Sequence, residues 1–403
     1  MKLGAFIIVA GLGASAAWAQ GLDLNQAHRA ELAADAALRS GPQAGQAEGD
    51  AGNSMAISDG KGNSLRVGGV VQTRWVANFR DVPGESNNLT EGFSVRRARL
   101  DLGGTIFDPR LAFDLRLEAN RAFGDFLPLE VQLRYNLSKE WYVRAGQFKP
   151  PLNREEILGT TVQLAVDRSA AVAAFAQGYT QGAELGYQGQ DVRLFATLSD
   201  GLGAVSSDFD SRREADYAFT GRAEYKLAGA NWRWTNDLTS FRGSKLGVLL
   251  GVAGHWQAGG DTNATPDVDF FQGGVDAQVE GDGWNFFASG IWRHTQRPGQ
   301  ENADDFGAVV QGGVFVSDQT ELFARWDAIF PDSSRGDAFN AATFGANYYL
   351  SPQSQAVKLS CDFGYFFNAS TAAGLAGTNT AIGLLPDAEG GQWLLRAQFQ
   401  IIF

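Results

Sequence analysis

The last eleven residues constrain this chain more than any other stretch. In Trp393–Phe403, the residues Trp393, Leu395, Ala397, Phe399, Ile401 and Phe403 fall on one face of an extended segment, and Arg396, Gln398 and Gln400 fall on the other. That period of two describes a strand with one apolar and one polar environment. The pattern continues to Phe403, although chain ends fray unless something holds them. A closed membrane barrel supplies that hold, because its last strand must pair with its first to leave no open edge in lipid.

The amino terminus points to export. Lys2, the apolar stretch Leu3–Leu12 and Ala17-Trp18-Ala19 before Gln20 follow the order of a secretory signal peptide, so cleavage is expected near Ala19. No later stretch reaches the ~18 unbroken apolar residues of a membrane helix. The hydrophobic fraction of 44% suits strands that alternate between lipid and a wet lumen. Cys361 is the single cysteine, which excludes an intramolecular disulfide. Its neighbours Val357, Leu359, Phe363 and Tyr365 place it on an outward face.

Three regions follow: a signal peptide at 1–19, a periplasmic leader at 20–64 and a barrel at 65–403. In the leader, Leu24, Ala27, Ala34 and Leu38 recur near helical spacing before Gly41-Pro42. So short a helix is marginal alone. The leader is either a small oligomerisation element or a mostly unfolded segment.

From Leu65 onward the alternation repeats. Val71, Thr73, Trp75 and Phe79 oppose Gln72, Arg74 and Asn78, and Leu111, Phe113, Leu115 and Leu117 oppose Asp114, Arg116 and Glu118. Leu129, Val131, Leu133 and Tyr135 oppose Glu130, Gln132, Arg134 and Asn136; Leu322, Ala324 and Trp326 oppose Glu321, Arg325 and Asp327. Segments of ~9–11 residues can span a bilayer at a tilt. Outer-membrane barrels alternate short periplasmic turns with longer external loops. That alternation fails only if residues 230–240 cross the membrane, and Asn236 and Asp237 lie at the centre of that stretch. Taking it as a periplasmic connection leaves sixteen strands. The longest connection in the front half, from Lys149 to about Thr180, follows the fifth strand, Trp141–Phe148. Loops so long usually have a function. As a third external loop folded into the lumen, it would constrict the channel.

Phe93-Ser94-Val95-Arg96-Arg97-Ala98-Arg99-Leu100, then Gly146-Gln147-Phe148-Lys149-Pro150-Pro151 with Glu155 and Glu156, then Asp167-Arg168-Ser169 with Gln177-Gly178 and Gln181-Gly182, resemble in order and spacing the phosphate-selective porin O and P family. The aromatic end at Phe403 also resembles the insertion signal of bacterial outer-membrane proteins. The resemblance implies a homotrimer of sixteen-stranded antiparallel transmembrane β-barrels in the outer membrane of a diderm bacterium. Each barrel would be a water-filled channel for small solutes, with arginines along the lumen and a basic cluster at the constriction. The corresponding positions are Arg97, Arg99, Arg144, Lys149 and Arg168; Arg116 and Arg134 join them from the inward face of their strands. Guanidinium and ammonium groups around a constriction favour anions over cations, and the planar fork of arginine suits oxyanions.

Charge tempers this expectation. The chain carries −12 overall, whereas residues 61–168 hold 16 basic and 13 acidic residues. Glu118, Glu130, Glu155, Glu156 and Asp167 lie near the basic positions in sequence and can pair with them, leaving the arginines as braces of the wall.

No constellation for catalysis, a cofactor or a metal accompanies these features. His28, His255 and His294 stand on separate segments, and the adjacent Glu155 and Glu156 would point apart. Asp261, Asp267 and Asp269 read as a solvated acidic loop more readily than as a calcium site. The acidity argues against nucleic acid. The expectation is a non-enzymatic outer-membrane porin with a modest preference for anions such as phosphate. The alternatives are an unselective porin, a structural outer-membrane anchor, and a secreted soluble β-rich glycan-binding protein.

Overall fold

A computed structural model describes residues 54–81, 88–119, 126–209, 211, 214–229, 231–259, 268–351, 353–370 and 382–403. The signal peptide, the leader helix, Asp261 and Asp267 lie outside the described residues.

The chain builds a closed antiparallel barrel. A short strand, β1 (Met55–Ser58), forms a hairpin with β2 (Ser64–Phe79) and lies outside the main ring. Residues 55–58, inside the stretch expected as a leader, thus form a strand next to the barrel. The first wall continues through β3 (Leu89–Ile106), β4 (Asp108–Ala119), β5 (Phe126–Asn136) and β6 (Trp141–Phe148). The middle of the wall holds β7 (Thr180–Gln188), β8 (Val192–Ser199), β9 (Tyr217–Ala228), β10 (Gly247–Ala258) and β11 (Asp269–Gly281). The last wall holds β12 (Trp284–Gln296), β13 (Ala303–Phe315), β14 (Thr320–Phe330), β15 (Phe339–Tyr349), β16 (Val357–Phe366) and β17 (Gln392–Ile402).

Each strand from β2 to β17 pairs with the next, and β17 pairs with β2 from Trp393↔Phe79 to Ile402↔Val70. Sixteen strands thus close the ring. Phe403 completes the seam: its N–H donates to the Gly69 carbonyl at 3.0 Å, and the Gly69 N–H donates back at 2.7 Å. A Cβ on Gly69 would sit 2.6 Å from the Phe403 ring, so glycine leaves the room that the terminal aromatic fills. Residues 231–246 contain a 3-10 turn at Arg233–Asn236 and no strand, which keeps the count even.

The two faces differ as the alternation requires. Leu133, Val275 and Phe344 stand 57–60% exposed on the outer surface, as the apolar outward face of a membrane barrel requires. Outward rings pair near the rims, among them Phe79 with Trp393 and Phe271 with Trp292, both at 5.3 Å. Cys361 is exposed on this face.

The inner face divides into two halves. From β3 to β9 it carries Asp101, Arg116, Glu130, Arg144, Glu184, Arg193 and Glu224. From β12 to β17 it also carries Phe287, Ile291, Val309, Phe323, Ile329, Phe339, Phe366 and Leu394, all buried in one apolar cluster. The polar inner face expected from alternation is therefore interrupted by an apolar seat.

Candidate functional site

The loop after β6, residues 149–179 (L3), fills that seat. Two short helical turns, α1 (Arg154–Ile157) and α2 (Ala170–Ala174), shape it. Pro150-Pro151 keeps the entry extended, and the Ser169 side chain caps α2 by accepting from the Val172 N–H at 3.1 Å. Leu158, Leu164, Ala165, Val172 and Phe175 then bury their side chains against the β12–β17 wall. A Cβ on Gly307 would come within 2.7 Å of the Phe175 ring, so that glycine makes room for it. Burial of each large side chain contributes about 1.5–3 kcal/mol.

Glu155 and Glu156 fasten the loop from within. Glu155 accepts from the Ser169 N–H at 2.7 Å and its hydroxyl at 2.8 Å. Glu156 accepts from the N–H groups of Gln177 and Gly178 at 2.6 and 2.9 Å. The two carboxylates point apart and serve different segments.

Asp167 is the main electrostatic junction. Its carboxylate binds Arg74 in a short ion pair, Arg97 at 3.2 Å and Arg96 at 3.4 Å. Its carbonyl accepts from Arg325 at 2.9 Å. Burial pushes the Asp167 carboxyl up, but Arg96, Arg97, Arg74 and Arg396 outweigh it and hold it well below the usual carboxylate range. Strict alternation would send Arg96 into lipid. A bulge, where Gln72 faces Arg97 and Thr73 faces Val95, lets both arginines turn toward Asp167.

The seven positions picked from sequence separate into three settings. Arg97 belongs to the Asp167 junction and also donates to Gln72 at 2.8 Å. Lys149 and Arg168 meet at the end of α1: both donate to the Glu156 carbonyl, at 3.0 and 3.2 Å, and Arg168 also reaches the Leu158 carbonyl at 2.9 Å. The remaining four lie along the wall. Arg99 binds Glu118 at 2.7 Å, and Arg116 binds Asp101 and Glu130 at 2.6 and 3.2 Å. Arg144 binds Glu184 through two hydrogen bonds of 2.9 and 2.8 Å. Arg134 stacks 3.6 Å from the Tyr142 ring and donates to Asn136.

Sequence reasoning passed over Arg74, Arg96, Arg154, Arg222, Arg325 and Arg396. The inward phase of β2 pointed to Arg74, and that of β17 to Arg396. Nothing in the alternation pointed to Arg96, because its orientation depends on the bulge. Arg154, Arg325 and Arg396 join L3 or the wall to partners distant in sequence, at Glu224, Glu155 and Asp362.

Residues 70–366 match the family model described as phosphate-selective porin O and P. The chain belongs to this family. Solved structures agree on the fold. OmpT of Vibrio cholerae superposes with a TM-score of 0.56 at 13% identity, covering 86% of this chain and 99% of that one. The outer-membrane channel DcaP of Acinetobacter baumannii gives 0.56 at 12%, over 86% and 99%. OprB of Pseudomonas putida gives 0.54 at 9%, over 85% and 94%. No curated protein matches in sequence. A porin family and a closed sixteen-stranded barrel make this an outer-membrane channel.

Proposed function

We propose that this porin passes small hydrophilic solutes with a modest preference for anions, oxyanions such as phosphate among them. The observation that carries the reading is the charge arrangement on L3. Three arginines share the single Asp167 carboxylate, and Lys149 and Arg168 converge on one main-chain carbonyl. Clustered cations around a narrow passage lower the barrier for an anion. The preference stays modest because Arg99, Arg116 and Arg144 each face a carboxylate on the wall. The family name points to phosphate, and oxyanion binding by arginine is chemically apt.

Replacing Lys149 and Arg168 together with glutamate tests the assignment. Reversal potentials across a potassium chloride gradient should move toward cation preference. An unchanged potential in a folded variant would remove these two residues from the selective passage.

The remaining parts of the reading are also ours. Residues 1–19 act as a signal peptide, 20–64 as a periplasmic leader and 65–403 as the porin domain in outer-membrane lipid. The working unit is a homotrimer, the form in which one OmpT structure of Vibrio cholerae is described. An apolar groove on the outer wall, lined by Trp75, Phe93, Val95, Leu359 and Phe399 with Ala346 and Ala397, offers a surface for a neighbouring barrel. Chemical crosslinking in detergent should give a ladder ending at three copies.

A further inference from the structure

The connection between β9 and β10 is not a simple turn. Its residues 231–246 leave the rim that holds Phe403 and enter the lumen, where Thr235, Leu238 and Ser240 are 0–1% exposed. At one side, Trp232 donates to the Gly189 carbonyl at 2.9 Å and lies under the Arg193 guanidinium at 3.9 Å. At the other, Thr239 meets the Tyr349 hydroxyl at 3.1 Å, and the Asp237 carboxylate accepts from Gln355 at 3.0 Å. Arg193 is on β8, and Tyr349 and Gln355 are at the β15–β16 connection. About half the sixteen-stranded ring separates them, so the segment crosses the lumen as a strap.

L3 comes down to meet it. The Leu238 N–H reaches the Val162 carbonyl of L3 at 3.4 Å. Arg154 joins all three parts: from α1 it donates to the Thr235 carbonyl of the strap, to Glu224 of β9 at 3.0 Å and to Gln278 of β11 at 3.2 Å. The wall beneath is dry, with Arg193, Glu224 and Gln278 each 1% exposed. Toward β2–β4 the side chains of Glu118 and Arg66 are 22% and 15% exposed.

We infer that the strap is a second determinant of conductance: bolted to L3 by Arg154, it closes much of the lumen at the rim that holds Phe403. The inference rests on the channel reading and not on the anion preference. Conductance amplitude tests the strap, whereas reversal potential tests the preference.

The experiment uses the full chain in planar bilayers, with heat-modifiable gel mobility as the check on folding. Replacing residues 232–240 by a short Gly-Ser linker should raise single-channel conductance several-fold, and Arg154→Gln should raise it by less. Liposome swelling should then admit larger neutral sugars. Unchanged conductance and size cutoff in the folded linker variant would overturn the inference. Hydrogen exchange on the unaltered protein decides the matter if neither variant folds. Slow exchange of the amides of 235–240 supports the docked strap, and exchange at the rate of an open chain contradicts it.

Discussion

The two halves of the inner wall solve the same problem with different mixtures of charge and apolar surface. Both must cover inward-facing side chains inside a barrel too wide to fill itself. The half from β3 to β9 does so with charge against charge, as in Arg144–Glu184 and Arg222–Glu224, whose side chains are fully buried. The half from β12 to β17 keeps buried ion pairs such as Arg396–Asp362 but adds the apolar side chains that accept the apolar face of L3. The loop is seated by one half, and Arg154 of α1 reaches Glu224 of the other. An inward arginine is therefore not a selectivity charge by default. On the charged wall Arg99, Arg116 and Arg144 each pair with a carboxylate, whereas Arg74, Arg96 and Arg97 share the single carboxylate of Asp167 on L3.

Breaking one member of a pair in the charged half should have the largest effect. Glu184→Gln leaves the fully buried Arg144 without its carboxylate, at a cost of about 3–5 kcal/mol to barrel stability. Replacing both with Met and Leu should restore most of it, because a buried ion pair is often no better than a well-packed apolar one. Urea titration of the folded barrel in lipid would measure both. If the double variant lost anion preference as well, Arg144 would be a selectivity residue and the division between the halves would be wrong.

In the apolar half, Phe175→Ala should weaken the seating of L3 by about 3 kcal/mol and leave the charged half intact. Faster proteolysis within residues 149–179 and noisier open-channel current are the expected signs. Equal protection of L3 in the variant and the parent would mean that the Asp167 junction alone holds the loop.

The smallest effect concerns pH at the strap. Burial raises the Asp237 carboxyl from its ordinary 3.8 to about 6. The Thr239 N–H, Lys358 and Gln355 oppose the rise, and Glu280 and Glu321 are the carboxyls that interact with it. A carboxyl with a raised pKa binds its proton more tightly in the docked state. Docking therefore strengthens as pH falls through about 6 and gains little more below about 4. Conductance should drop modestly between pH 7 and 4.5, and Asp237→Asn should give the acid value at both. A drop of equal size in that variant would assign the pH effect to another group.

Much of this was legible in the sequence. The outward face is simple because lipid tolerates only apolar side chains, so the alternation in Leu129–Tyr135 and Trp393–Phe403 could be followed directly. The strand count followed from loop alternation once residues 230–240 were kept out of the wall, and the place of L3 followed from its length. The inner surface was less legible, because its partners are distant in sequence. Phe287, Ile291 and Phe323 turn inward without polar character, and only contact with Leu164, Val172 and Phe175 explains them. Arg96 depends on a bulge that no periodicity records. The strap was recognised as periplasmic, but nothing in Trp232–Ser240 announces that it enters the lumen.

The central claim is that the arginine surplus around L3, not the charge of the whole chain, sets selectivity. Its most direct test is the reversal potential of the purified chain in a planar bilayer across a potassium chloride gradient, before and after adding phosphate. The account predicts a potential of the sign for chloride preference and a current reduced by phosphate. Cation preference, or a current indifferent to phosphate with no selectivity, would contradict it.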